Sequence, residues 1–384
     1  MLLNPTFIAA IPLAIWIYLF LARGNFWRLR EDTIEPKPLE NWPRVVAVVP
    51  ARNEAETIVR AIASLAQQDY PGEFSVIVVD DHSEDDTTAL ARQAAQEPGV
   101  ARRITTHRAT ELPSGWTGKL WALSEGARAA AADAPAFFWF TDADIVHAPN
   151  TLRRLVSRAE KESLDLASLM VLLRAKTLPE RLLVPPFLFF FLMLYPPQWT
   201  ADPKARTAGA AGGCILLRRS ALERIGGLAA ICGEVIDDCA LARAAKKSGG
   251  KIWMGLTRES LSLRVYGSFA EIRDMIARTA FTQLRYSSAL LIATLIGLFV
   301  TYLLSWILFF AYPGEAWVLV DTAIALMTAT CLVTVRCYGL SPLWALTLPI
   351  AAVFYGYATC VSAIRFWLGR GGQWKGRTQA SRGI

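Results

Sequence analysis

Four long runs with almost no charge dominate this 384-residue chain: Leu2–Leu21, Ala289–Tyr312, Trp317–Val335 with a single Asp321, and Leu343–Ile364. Each approaches or exceeds the roughly 20 residues that carry a helix across a bilayer. One such run could be a buried core helix. Four of them read as an integral membrane protein, and the composition agrees: 53% hydrophobic residues, 13 Trp and a mean hydropathy of +0.31. The first run has no basic residue ahead of it, and Arg23, Arg28 and Arg30 follow it. That placement reads as an uncleaved anchor rather than a secretory signal, with the following domain in the cytoplasm of a multi-pass inner-membrane protein. Three later spans would put the tail outside, yet the tail carries Arg365, Arg370, Lys375, Arg377 and Arg382. Either one run is re-entrant, Trp317–Val335 being the candidate as the shortest and the one with an acid, or the tail does not serve the site.

The net charge of +7 fits contact with anionic lipid headgroups better than nucleic acid, for which no motif is present. Six cysteines without a CxxC pair give no disulfide framework and no zinc site. After the anchor (1–24), residues 25–44 read as a linker with Pro36, Pro38 and Pro43. From Val45 strands and helices alternate: strands at Val45–Pro50, Ser75–Asp80, Arg103–His107 and Ala136–Thr141, helices at Glu54–Gln68, Asp86–Gln96, Gly118–Ala132 and from about Pro149. This pattern predicts a mostly parallel sheet covered on both faces, with ligands beyond the carboxyl ends of its strands. Asp165–Leu173 and Cys214–Arg218 read as further strands and Asp238–Lys247 as a helix. Leu182–Trp199 is apolar and flanked by paired prolines, so it reads as an interfacial helix or lipid-facing loop, with a buried core helix nearly as good. The segment 268–288 reads as a membrane-surface helix, 289–364 as C-terminal spans and 365–384 as a basic tail.

Acidic residues gather where these elements end. Pro50-Ala51-Arg52-Asn53-Glu54 closes the first strand and Asp80-Asp81 the second. Asp142-Ala143-Asp144 closes a later one, and Asp237-Asp238 opens a helix. Each alone is an ordinary cap or turn. Four at successive ends converge on one crevice, where two hard carboxylates suit Mg²⁺ or Mn²⁺.

In this order the motifs resemble the family 2 inverting glycosyltransferases over roughly Val45 to Tyr286. Gly115-Trp116-Thr117-Gly118-Lys119-Leu120-Trp121-Ala122-Leu123, Gly212-Gly213-Cys214-Ile215-Leu216-Leu217-Arg218-Arg219 and Trp374-Lys375-Gly376-Arg377 look most like the hopanoid-associated members, and more distantly ceramide glucosyltransferase. The resemblance implies an α/β fold of the GT-A type over 45–267, a Rossmann-like, mostly parallel sheet with one N-terminal and about three C-terminal transmembrane or re-entrant helices. It implies transfer of a single sugar from a nucleotide donor, UDP first, to a lipid hydroxyl. Pro50, Arg52 and Glu54 would form the first nucleotide motif, and Asp81 would meet the base or ribose. Lys119 would face the donor, unless it is an exposed lysine at a helix start. Asp144 would hold the metal, with Asp142 shared between metal and ribose. His147 would assist the metal or be a satisfied structural histidine. Asp238 would be the catalytic base, with Asp237 in place of the family's Glu. Arg285 and Tyr286 stand where polymer-making members carry Gln-x-x-Arg-Trp, and the departures at Thr282 and Tyr286 argue for a single transfer. Trp374 and Arg377 would fold over the donor, or rest on headgroups. A processive polysaccharide synthase, a polyprenyl-phosphate sugar transferase and a non-catalytic nucleotide-binding assembly factor are the rival readings.

Overall fold

Val45–Ala51 (β1) is buried at all seven positions, as a strand covered on both faces must be. In this computed structural model, which describes residues 5–28, 39–97, 103–311, 314, 316–374 and 377–378, β1 sits near the centre of an eight-stranded sheet. The other strands are β2 (Phe74–Asp80), β3 (Ile104–Arg108), β4 (Phe137–Phe140), β5 (Ile145–His147), β6 (Leu166–Leu172), β7 (Ile215–Arg218) and β8 (Ile252–Ser262). Their order is β3-β2-β1-β4-β7-β6-β8-β5. β3, β2, β1 and β4 run parallel, with β1 paired to β2 from Val45↔Phe74 to Ala51↔Asp80 and to β4 up to Val48↔Phe140. The chain therefore leaves β1, β2 and β4 at one edge, where the acidic motifs begin.

Beyond β4 the sheet becomes mixed. β7 is antiparallel to both β4 and β6, while β6 and β8 are parallel. β5 lies antiparallel on β8, pairing Ile145 with Ser262 and His147 with Ser260. One face buries Val45, Ala47 and Val49 against Ile58, Ile62 and Leu155; the other buries Val46 and Val48 against Leu120, Leu241 and Ala245. This alternation along β1 is what joins two helical layers through one sheet.

The chain divides into two units, residues 1–29, 175–198 and 266–371 in one, and 30–174, 199–265 and 372–384 in the other. Among the described residues the first holds three helices long and apolar enough to cross a membrane: Ser288–Ala311, Trp317–Cys337 and Pro342–Trp367. Pro5–Leu21, at 17 residues, is shorter and packs against Trp317–Cys337. The run singled out above as re-entrant is one uninterrupted helix of 21 residues. The irregularities fall in its neighbours, a π segment at Phe299–Leu303 and a 3₁₀ segment at Pro342–Thr347. In the π segment the Trp16 Nε1–H donates to Thr301 O at 2.8 Å, a side-chain partner for a carbonyl in a distorted ladder.

Leu182–Trp199 resolves toward the buried-helix reading rather than a loop. Leu178–Leu194 is a helix started by a capping box between Thr177 and Glu180, and it buries Leu183, Val184 and Phe189 within the apolar unit. Residues 175–198 thus pack with the apolar helices rather than within the α/β sheet to which sequence order assigned them. Half of the linker, residues 29–38, and residues 375–376 and 379–384 of the basic tail lie outside the described residues.

Candidate active site

The turns after β1 and β2 are sewn together. The Asn53 N–H donates to Ser83 Oγ at 3.1 Å, the Glu84 N–H to Asn53 Oδ1 at 2.9 Å, and the Glu54 N–H to Thr87 Oγ1 at 2.7 Å. Both turns need a left-handed residue, Asn53 at φ 51° and His82 at φ 54°. Arg52 is buried and donates to Asp81 O at 2.6 Å, His82 O at 2.7 Å and Glu84 Oε1 at 2.8 Å. Its guanidinium thus buttresses the β2 turn, an orientation that the strand-end motif did not suggest. Asp81 is fully buried on that turn, and Pro50 lines the crevice that leads from β1 to Asp142.

After β4, Asp142 and Asp144 emerge on one turn. Asp142 Oδ1 meets Lys119 Nζ at 2.8 Å. Asp144 lies beside the end of β8, where the Leu263 N–H donates to Asp144 O at 2.7 Å and the Ser262 hydroxyl to Oδ2 at 3.4 Å. Burial, then the charges of Asp142 and Glu54, push the Asp144 carboxyl up to about 6, while Arg264 pulls the other way. Among the described residues no group of three or more His, Cys, Asp or Glu could hold a metal ion. The hard donors are Asp142 and Asp144, with Glu54 adding charge. Such a set fits Mg²⁺ or Mn²⁺, which are commonly held by one or two carboxylates plus substrate phosphates and water, and a cation would relieve the crowding of charge on Asp144.

Lys119 lies in the first turn of the helix Gly118–Ala129 and is not the exposed helix-start lysine of the simpler reading. Its ammonium also reaches Asp237 Oδ2 at 3.3 Å, so it links the acids after β4 to those opening the helix Asp237–Lys247. Burial would lower its pKa, but Asp142 and Asp237 outweigh that and hold it protonated. Asp238 accepts from the Gly212 N–H at 2.9 Å and the Cys239 N–H at 2.7 Å, one on each oxygen. Burial and then Asp237 push its carboxyl up to about 6 against the pull of Lys119. A carboxylate of that kind is suited to taking a proton near neutral pH.

His147 does not approach the metal seat through its ring. It is buried between Thr141 Oγ1 and Ser260 Oγ, both at 2.8 Å, and against Trp139 with ring centroids 4.7 Å apart. Burial pushes its pKa down to about 3, so it is neutral in the fold and basic in the unfolded chain. Its contribution is complete above the unfolded value near 6.5 and is lost as pH falls, by about 1.4 kcal/mol per unit until the folded pKa is reached. Asp144 and Asp238, with raised values, run in the opposite sense. Denaturant unfolding of wild type and His147→Gln between pH 7 and 5 should isolate the histidine, the wild type losing more stability by about 2 kcal/mol.

Arg285 and Tyr286 belong to the apolar unit. They form consecutive left-handed residues at φ 53° and 57°, with the Tyr286 ring stacked on Phe366 at 4.3 Å. Trp374 and Arg377 pair across a short antiparallel ribbon. One crevice therefore gathers Pro50, Lys119, Asp142 and Asp238, together with Gly212 and Asp237. Sequence reasoning missed Ser262 and Arg264 because β8 was not recognised as a strand.

Residues 46–226 match the family described as Glycosyl transferase family 2. The chain carries a family 2 glycosyltransferase domain. Curated relatives include an N-acetylglucosaminyltransferase of Rhizobium leguminosarum bv. viciae, 34% identical over 24% of each chain. The succinoglycan biosynthesis protein ExoO of Rhizobium meliloti (strain 1021) is 37% identical over 35% of each, and an N-acetylglucosaminyltransferase of Mesorhizobium japonicum is 29% identical over 49% of this chain and 42% of that one. The chain thus spans less than half the length of these relatives. Among solved structures, the mannosyltransferase PcManGT of Pyrobaculum calidifontis, in complex with GDP-Man and Mn²⁺, is 20% identical. The match covers 94% of this chain and 99% of that one with a TM-score of 0.55, a likeness of fold. The family 2 domain is accordingly of the GT-A type.

Proposed function

We propose that this chain is a membrane-bound, inverting glycosyltransferase that moves one sugar from a nucleotide donor to a lipid hydroxyl. The observation that carries the proposal is the Lys119 bridge, 2.8 Å to Asp142 and 3.3 Å to Asp237, which ties the donor-side acids to the pair containing Asp238. Asp144 and Asp142 are the residues that would hold Mg²⁺ or Mn²⁺, which when bound would offset charge on the leaving diphosphate. Asp81 and the turn braced by Arg52 and Glu54 would receive the nucleoside. Asp238 removes the acceptor hydroxyl's proton as its oxygen attacks the anomeric carbon from the face opposite the diphosphate. Lys119 stays cationic and balances the surrounding carboxylates. Arg285, Tyr286, Trp374 and Arg377 are kept as donor-binding residues on the family resemblance.

A lipid acceptor is supported by the apolar helices and by Thr282 and Tyr286 at the positions where polymer-makers carry Gln and Trp; a hopanoid within that class rests on the family resemblance alone. A cytoplasmic catalytic unit on an inner membrane follows from Arg23 and Arg28 after the first apolar helix. The succinoglycan relative favours a second reading, a saccharide acceptor. The full chain with Mn²⁺, a lipid extract and labelled UDP-glucose, UDP-N-acetylglucosamine or GDP-mannose should yield a lipid carrying one sugar. Products with several sugars would favour the second reading; release to water alone would sink both.

Two expected results concern the same site. Chelation should abolish transfer, and Mn²⁺ should restore it. The rate at low donor concentration should fall about tenfold per unit below pH 6, because the base must be ionised and its carboxyl is pushed up to about 6. An acid limb near pH 4 would count against Asp238 as that base.

A further inference from the structure

A buried file of hydrogen bonds runs from the far edge of the sheet to the strap Ala211–Gly213, which in turn meets Asp238. Ser260 Oγ on β8 meets His147 Nδ1 on β5 at 2.8 Å, and His147 Nε2 meets Thr141 Oγ1 at 2.8 Å. The Thr141 hydroxyl donates to Gly213 O at 2.9 Å, and two peptide groups earlier on the same strap the Gly212 N–H donates to Asp238 Oδ2 at 2.9 Å. Because Thr141 uses its one proton on Gly213, it accepts from an Nε2–H tautomer, and Ser260 donates to Nδ1. Ser168, fully buried on β6, fixes the other end of this strap, accepting from the Ala211 N–H at 2.8 Å and donating to Ala211 O at 3.3 Å. The strap Ala211–Gly213 is thus gripped on both sides of Gly212. A Cβ at Gly212 would stand 3.1 Å from Lys119 Nζ and 3.3 Å from Asp238 Oδ2, so a side chain there would press the ammonium and the carboxylate aside by a few tenths of an ångström.

We propose that Gly212 is a positioning residue whose N–H, held by the file from Ser260 through His147 and Thr141, aims the Asp238 carboxylate at the acceptor hydroxyl. This rests on Asp238 being the base. With Cys239 N–H on Oδ1 and Gly212 N–H on Oδ2, the carboxylate cannot turn, and each oxygen keeps a lone pair for the incoming proton. The charged groups facing it are Asp237 on its own helix and Lys119 from Gly118–Ala129, with Asp142 beyond the lysine.

The test uses the full chain with whichever of UDP-glucose, UDP-N-acetylglucosamine or GDP-mannose the wild type turns over. Gly212→Ala should lower kcat about 100-fold, as misplacement of a reacting group does, with donor KM near wild type. Its acid limb should move to higher pH, because the carboxylate loses an N–H bond that favours its charged form. Thr141→Val should lower kcat about tenfold with the same sign of shift, the order of one lost hydrogen bond, and Thr141→Ser should restore both. If Gly212→Ala does not fold, the Thr141 pair decides. An unmoved acid limb in the folded variants, with kcat unchanged or lowered, would overturn the proposal while an inactive Asp238→Asn leaves the base assignment standing. An active Asp238→Asn would instead remove the base assignment itself.

Discussion

Asp238→Asn should lower turnover about 1,000-fold, within the range general-base catalysis supplies, while UDP or GDP still binds with Mn²⁺ to within a few-fold. The substitution preserves shape and removes the group that takes the proton. It also leaves one of the two backbone donors, from Gly212 or Cys239, facing an amide NH₂. A stability loss of about 1 kcal/mol should accompany it, too small to account for the kinetic effect. Initial rates and nucleotide titration on the same preparation separate the two. Near-normal transfer to a hydroxyl acceptor would exclude Asp238 as base. Retained transfer to a polyprenyl phosphate alone would favour an acceptor that arrives already ionised.

Lys119→Met should be nearly as damaging, for a different reason. The ammonium stands 2.8 Å from Asp142 and 3.3 Å from Asp237, with only 17% of its side chain exposed. Removing one partner of a buried ion pair leaves the other charges uncompensated, at about 3 kcal/mol. Three consequences can be read separately. Thermal stability falls. The acid limb moves to higher pH, because Lys119 is the attraction that lowers the Asp238 pKa. Mn²⁺ stabilises the variant more than the wild type, since a second cation near Asp142 then meets less competition. Unfolding with and without Mn²⁺, beside pH–rate profiles, checks all three; a variant of wild-type stability and profile would reduce Lys119 to a surface charge.

The parallel half of the domain was legible because its signals are local. Val45–Ala51 and Phe74–Asp80 are apolar runs followed by Arg52 and Asp81, and the helix between them, Ile58–Ala66, has an evident polar face. The mixed half was less so. β5 has three residues and β8 alternates irregularly through Thr257, Arg258 and Glu259, so neither carries a periodic signal strong enough to mark a strand. The helix Leu178–Leu194 was obscured by Pro185-Pro186, which argue locally against it; burial against the apolar unit and the Thr177–Glu180 box outweigh them. His147 shows the same limit at the site. Its distance of three residues from Asp144 allows either a metal assistant or a satisfied structural histidine, and only the β5–β8 pairing, which turns its ring to Thr141 and Ser260, favours the second.

Asp142 and Asp144 could be placed at a strand end from the chain alone, as could the helix start at Asp237-Asp238, because strand ends and caps are decided within a few residues. That Lys119 joins these two motifs, that Gly212 holds Asp238 by its N–H, and that Arg52 faces its own neighbouring turn depend on contacts across 23 and 118, 26, and 29 residues of chain respectively. Local preference carries no information over such separations. Only the packing of β1, β4 and the flanking helices on one sheet brings those groups within bonding distance.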